Sequence, residues 1–210
     1  MLEFVTSSLL AVLMAAAGVP LGPPFDIPDF TISGVLPPYL GPTATDPAAM
    51  SPYETTLTRI ANKLCASDER KAIFRGLLQY RQALGGVGLV TGFQWLSGSF
   101  MEDIEATESR SPRDIDVVTF VHRPAGLDDA AVQALIAANQ NIFVPAQAKA
   151  TYHCDAYFID LDILPEAIVN QTRYWFGLFA HRRTGIWKGL LQLQLAVTQD
   201  DIDASVIVGP

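Results

Sequence analysis

Two carboxylates, Asp114 and Asp116, stand two residues apart in the run Pro112-Arg113-Asp114-Ile115-Asp116-Val117-Val118. Ile115, Val117 and Val118 give that run the apolar character of a buried strand. On a strand, side chains i and i+2 share a face, about 6–7 Å apart, so both acids aim the same way. Carboxylates placed like this repel each other unless a cation sits between them. Hard divalent ions such as Mg2+ take oxygen ligands of this kind. Metal-assisted handling of a phosphate is the chemistry that follows.

A second stretch, Trp95-Leu96-Ser97-Gly98-Ser99-Phe100, reads as a strand ending in a Gly-Ser turn. Gly98 lets the backbone approach a phosphate closely, and Ser99 offers both its hydroxyl and its N–H. A third carboxylate on a neighbouring strand would complete a metal site and take a proton from a nucleophile. The candidates are Asp155, Asp160 and Asp162. Asp155 and Asp160 lie five residues apart, on opposite faces of a strand predicted over Tyr152 to Leu161, so at most one of them faces the site. Asp155, near the strand's start, is preferred, and Asp160 and Asp162 read as strand-end or cap residues. Two basic features are candidates for binding phosphate: Arg113, and the cluster His181-Arg182-Arg183 with Lys188. A solvated loop is the competing reading for each. Within the cluster Lys188 is preferred, because it sits between Trp187 and Gly189 rather than in the exposed arginine pair. The acids Glu102, Asp103, Glu105 and Glu108 read as a solvated loop, Trp175, Phe176 and Phe179 as core or interface, and His122 and His153 as structural.

Other elements must position these groups. Residues 1–21 carry no charge from Phe4 to Leu21 and predict an apolar N-terminal helix packing on the domain or on another copy. A signal peptide or membrane anchor is the alternative, weakened by Glu3 in place of a positive start and by Thr6, Ser7, Ser8, Gly18 and Pro20. Residues 22–50 are dense in proline and glycine and predict an extended arm docked through Phe25, Ile27, Phe30, Ile32, Val35 and Leu36. Residues 51–210 form the main domain. There, Ser51-Pro52-Tyr53-Glu54 has the form of a capping box opening a helix to about Leu64. A second helix runs from Ser67-Asp68 to Gly85-Gly86, and a third from Asp128-Asp129 to about Asn139. Strands are predicted to end at Leu96, to run from Asp114 to His122, and to run from Leu190 to Val197. This order indicates a mixed sheet with flanking helices, an α+β (mixed α/β) fold.

Composition narrows the function classes. The chain has 210 residues, half of them hydrophobic, and a net charge of −8 from 22 acids and 14 bases. This balance gives no strong nucleic-acid signal beyond a local basic groove, and no full membrane span is predicted. Only two cysteines, Cys65 and Cys154, are present, without metal-ligand spacing. A zinc site or disulfide scaffold is not expected, and a cytoplasmic setting is the simplest reading, with secretion or membrane association through residues 4–21 as the alternative.

Together, Gly98-Ser99, a fourteen-residue spacer (100–113), and Asp114-Ile115-Asp116-Val117 resemble the motif of the polymerase-beta-like nucleotidyltransferases. Gly34-Val35-Leu36-Pro37-Pro38, Trp95 to Phe100, Asp114 to Val118 and Trp187-Lys188-Gly189 resemble more closely a small, poorly characterised bacterial nucleotidyltransferase-like family, over roughly residues 30–195. The resemblance implies a minimal nucleotidyltransferase fold and one or two Mg2+ ions held by Asp114, Asp116 and a third acid. It also implies nucleotide phosphate at Gly98 and Ser99. The activity implied is transfer of a nucleoside monophosphate from an NTP to a small-molecule, protein or RNA acceptor, with release of pyrophosphate. A non-catalytic binding or regulatory protein of the same fold, such as an antitoxin-like subunit, is the alternative. The apolar N-terminal helix suits assembly with itself or with a partner protein.

Overall fold

The computed structural model describes residues 26–210, so the N-terminal helix expected over 1–21 lies outside the described residues. In chain order, the strands are β1 (Tyr53–Glu54), β2 (Gly92–Ser97), β3 (Ile115–Val121), β4 (Cys154–Asp160) and β5 (Leu191–Gln194). The helices are α1 (Leu57–Leu64), α2 (Asp68–Gly86), α3 (Ile104–Glu108), α4 (Asp129–Ala138), α5 (Gln140–Phe143), α6 (Pro145–Tyr152), α7 (Pro165–Phe179) and α8 (Gln199–Val208). The strands form one sheet in the order β1-β5-β2-β3-β4. The pairs β1·β5 and β3·β4 are parallel, and β2 runs antiparallel to both β5 and β3. The fold is therefore α+β with a mixed sheet, as the order of predicted elements implies. Among the described residues, no helix is long and apolar enough to cross a membrane.

Alternation along the strands decides which helices cover which face. Ile115, Val117, Cys154, Ala156, Leu96 and Leu191 point to one side, into a core shared with residues of α1, α2, α6 and α8. Trp95, Val118, Phe120 and Ile159 point to the other, where Phe179 of α7 closes a smaller aromatic cluster. Asp114, Asp116 and Asp155 share the parity of this second face, at the end of the sheet that α7 leaves open. The connection from β3 to its parallel neighbour β4 needs a crossover, and α4, α5 and α6 supply it. Gly76 of α2 lets α6 pack backbone to backbone, because a Cβ there would lie 2.0 Å from the Tyr152 carbonyl oxygen.

Three expectations are corrected. Ser51-Pro52-Tyr53-Glu54 does not open a helix: Tyr53 and Glu54 form β1 against Leu191 and Gln192, and α1 begins at Leu57 with Thr56 as its N-cap. Ser51 uses its hydroxyl to accept from Leu190 N instead. Tyr152 ends α6 and is not part of β4, with His153 in a left-handed conformation between them. The last strand is shorter than expected, and α8 follows it, opened by a capping box of Thr198 and Asp201. The arm is docked as predicted through Ile27, Val35 and Leu36, but Ile32 is fully exposed. Ion pairs from Asp26 to Arg59 and Asp29 to Lys63 tie it to α1.

Candidate functional site

Strand register brings the predicted acids together. Asp116 lies opposite Ser97 of β2 and beside Asp155 of β4, and Asp114 precedes Asp116 by one full pleat. Asp160, by contrast, is in register with Val121 at the far end of the sheet and pairs with Arg123. Asp162 accepts from Arg123 N and pairs with His122. Asp155 is thus the acid beside the pair, and Asp160 and Asp162 belong to a separate cluster.

The Gly-Ser turn sits directly over these acids. Gly98 has φ 86°, and a Cβ there would lie 3.1 Å from the Asp116 carboxyl carbon, one carboxyl oxygen and the backbone nitrogen. Both the left-handed backbone and this close approach call for glycine. Ser99 opens a 3-10 turn to Met101, anchored by the buried Phe100 and Met101. Arg70 of α2, itself buried, holds the turn from beneath. Its guanidinium donates to the Phe100 carbonyl at 2.8 Å, to the Glu102 carbonyl at 2.6 Å and to both Glu105 carboxyl oxygens at 2.7 Å. That pairing lowers the pKa of Glu105.

Glu102 corrects the reading of its segment as a solvated loop. It is only 4% exposed, and its carboxylate accepts from Lys188 Nζ at 2.6 Å and from Arg182 Nε at 2.7 Å. Lys188 is buried, and Arg182 is largely buried rather than part of an exposed arginine pair; Arg183 is exposed. Two cations on one carboxylate leave a local excess of positive charge. Arg182 Nη2 is also buried without a hydrogen-bond partner among the described residues. Arg113 is exposed at the mouth.

Turn, acids and cations line one cleft of about 800 Å3. Its lining includes Asp114, Asp116 and Asp155 together with the basic side chains Arg110, Arg113, Lys149, Arg182 and Lys188. Burial pushes the Asp116 carboxyl up to about 6, reinforced by the Asp114 charge. Lys188 opposes that rise, Asp155 adds to it, and Lys149 again opposes it. Lys149 of α6 reaches into the same acids: its Nζ is 2.5 Å from Asp114 Oδ2 and 3.5 Å from Asp155 Oδ2. The hydrogen bond to Asp114 raises the Lys149 pKa, against the effect of burial. Tyr157, two residues beyond Asp155, has its phenol pushed up to about 12 by burial and by the neighbouring Asp155 carboxylate.

Among the described residues, no three His, Cys, Asp or Glu side chains are grouped as a ready metal centre. The donor chemistry nonetheless fits a hard divalent cation. Three carboxylates share one end of the sheet, and Asp116 is raised first by burial and then by the charge of Asp114, which a cation would offset. An ammonium already bridges two of the three.

Sequence reasoning did not find Lys149, Glu102, Arg70 or Tyr157 as parts of this site. Lys149 left one trace, being the sole lysine or arginine between Arg123 and Arg173. The other three carry no local signal.

No curated protein and no solved structure matches the chain. A family model does match, over residues 28–194, a span holding every site residue named above. The chain belongs to that family, a family of unknown function (DUF6932).

Proposed function

We propose that the protein is a Mg2+-dependent nucleotidyltransferase that moves a nucleoside monophosphate from an NTP to an acceptor nucleophile. One observation carries this reading. The Gly98–Ser99 turn lies over Asp116, with Asp155 in register beside it on β4 and Asp114 just before β3. The motif resemblance supports it independently.

In this reading the backbone at Gly98 and the Ser99 hydroxyl and N–H orient the nucleotide phosphates. The excess positive charge of Arg182 and Lys188 over Glu102, with the unused Arg182 Nη2 donor and the exposed Arg113, neutralises the leaving pyrophosphate. Asp114, Asp116 and Asp155 would hold Mg2+. When bound, the metal supplies charge neutralisation and polarisation at the phosphate. The acceptor oxygen forms a bond to the α-phosphorus as the α–β phosphoanhydride P–O bond breaks. The bonding pair leaves with pyrophosphate, and the acceptor's proton passes to Asp155. Two buried free cysteines fit a reducing, cytoplasmic compartment.

A second reading, a non-catalytic nucleotidyltransferase-fold binding protein, has its own observation: Lys149 already satisfies Asp114 and Asp155. Turnover separates the two. Purified protein given each NTP with Mg2+ and a mixture of candidate acceptors should release pyrophosphate, and Asp114→Ala with Asp116→Ala should abolish that release. Metal-independent binding of NTP without turnover would favour the second reading.

A further inference from the structure

Lys149 pairs with two of the three acids in the cleft. Its Nζ lies 2.5 Å from Asp114 Oδ2, just before β3, and 3.5 Å from Asp155 Oδ2 on β4. Mg2+ binds carboxylate oxygens at about 2.0–2.1 Å, so an ammonium seated between Asp114 and Asp155 and a divalent ion shared by them exclude each other. The helix beneath Lys149 is fixed, since Ala148 is fully buried and Gly76 abuts the Tyr152 carbonyl. The Lys149 side chain is not fixed, being 48% exposed on a flexible four-carbon stem. It can swing off the carboxylates while α6 stays in place.

We propose that Lys149 is the resident counter-cation of the cleft, holding Asp114 and Asp155 together until a divalent cation displaces it. This inference rests on the metal-dependent reading above. It gives the acids a partner in the metal-free protein, where three like charges at one end of a sheet would otherwise repel. It also makes Lys149 a competitor of the metal, so removing its charge strengthens metal binding. A residue that only supported the fold would act in the opposite direction.

The test is a titration of the full chain with Mn2+ alone, reading free Mn2+ by electron paramagnetic resonance. Lys149→Gln is expected to bind Mn2+ about ten-fold tighter than wild type, the scale of one unit charge removed from a partly solvated cluster. Lys149→Arg, which keeps the charge, should show no such tightening, and Asp155→Asn should weaken binding. Wild-type binding with Lys149→Gln equal or weaker overturns this inference alone. No saturable Mn2+ binding by any form overturns it together with the metal-dependent reading. A second measurement needs no variant. Acylation of the Lys149 amine, followed by mass spectrometry, should speed up several-fold on saturation with Mn2+, as the amine loses its carboxylate partners. An unchanged rate at saturating Mn2+ overturns the inference.

Discussion

Asp116 holds its charge at a cost. Its carboxyl is mostly buried, faces Asp114 and Asp155, and is raised from its ordinary 3.8 to about 6. A carboxyl raised on folding favours the folded state while protonated, and that advantage fades as pH climbs through the folded pKa. In metal-free protein, the contribution of Asp116 is therefore lost between about pH 4 and pH 6. That rise corresponds to at most about 3 kcal/mol, less where water enters the cleft. Asp116→Asn should be more stable than wild type at pH 7, and the gap should close toward pH 4, as read by urea unfolding at each pH. A gap that widens on acidification would contradict this sign. Gly98 is constrained just as locally. Gly98→Ala forces a side chain into left-handed backbone and against Asp116, and should destabilise by about 1–2 kcal/mol. It should also weaken Mg2+-dependent NTP binding, measured by calorimetry.

At the scale of elements, the β2–β3–β4 ladder sets the acids and the loop after β2 sets the cations. The buried trio of Glu102, Lys188 and Arg182 couples that loop to the segment between α7 and β5. Glu102→Gln removes the charge that both cations face. Leaving a buried cation uncompensated typically costs about 3–5 kcal/mol, and because Arg182 keeps some exposure a loss near the lower end is expected in thermal unfolding. A period of two placed Asp114 and Asp116 on one face, and the count from Asp155 to Asp160 separated those two acids. Both depend on strand geometry alone. Glu102 was unreadable because its partners lie 80 and 86 residues away. Ser51 to Glu54 misled for a related reason: its helix-start pattern lost to pairing with β5, an element near the other end of the domain. Lys149 needed the whole crossover between β3 and β4 to be folded before it could meet Asp114.

For the whole molecule, the sheet separates two jobs. One face carries the larger core, with α1, α2, α6 and α8, and the other carries the aromatic cluster under α7 and, at its open end, the cleft. The fold class was legible from element order, since β3 and β4 flank helical pattern and require a parallel crossover. The strand order was not, because β5 inserts between β1 and β2 through pairings that no local pattern encodes. An acidic protein with net charge −8 places several of its basic side chains around the cleft that holds its paired acids.

On the proposed function, the cleft binds nucleoside triphosphate through Asp114, Asp116 and a divalent cation. Calorimetric titration of each NTP into the full chain, with and without Mg2+, tests it most directly. The expected result is saturable heat that requires Mg2+ in the wild type and disappears in Asp114→Ala with Asp116→Ala, with the far-ultraviolet circular dichroism of that variant unchanged. Equal binding with and without Mg2+, or Mg2+-dependent binding that survives in the folded double variant, would contradict it.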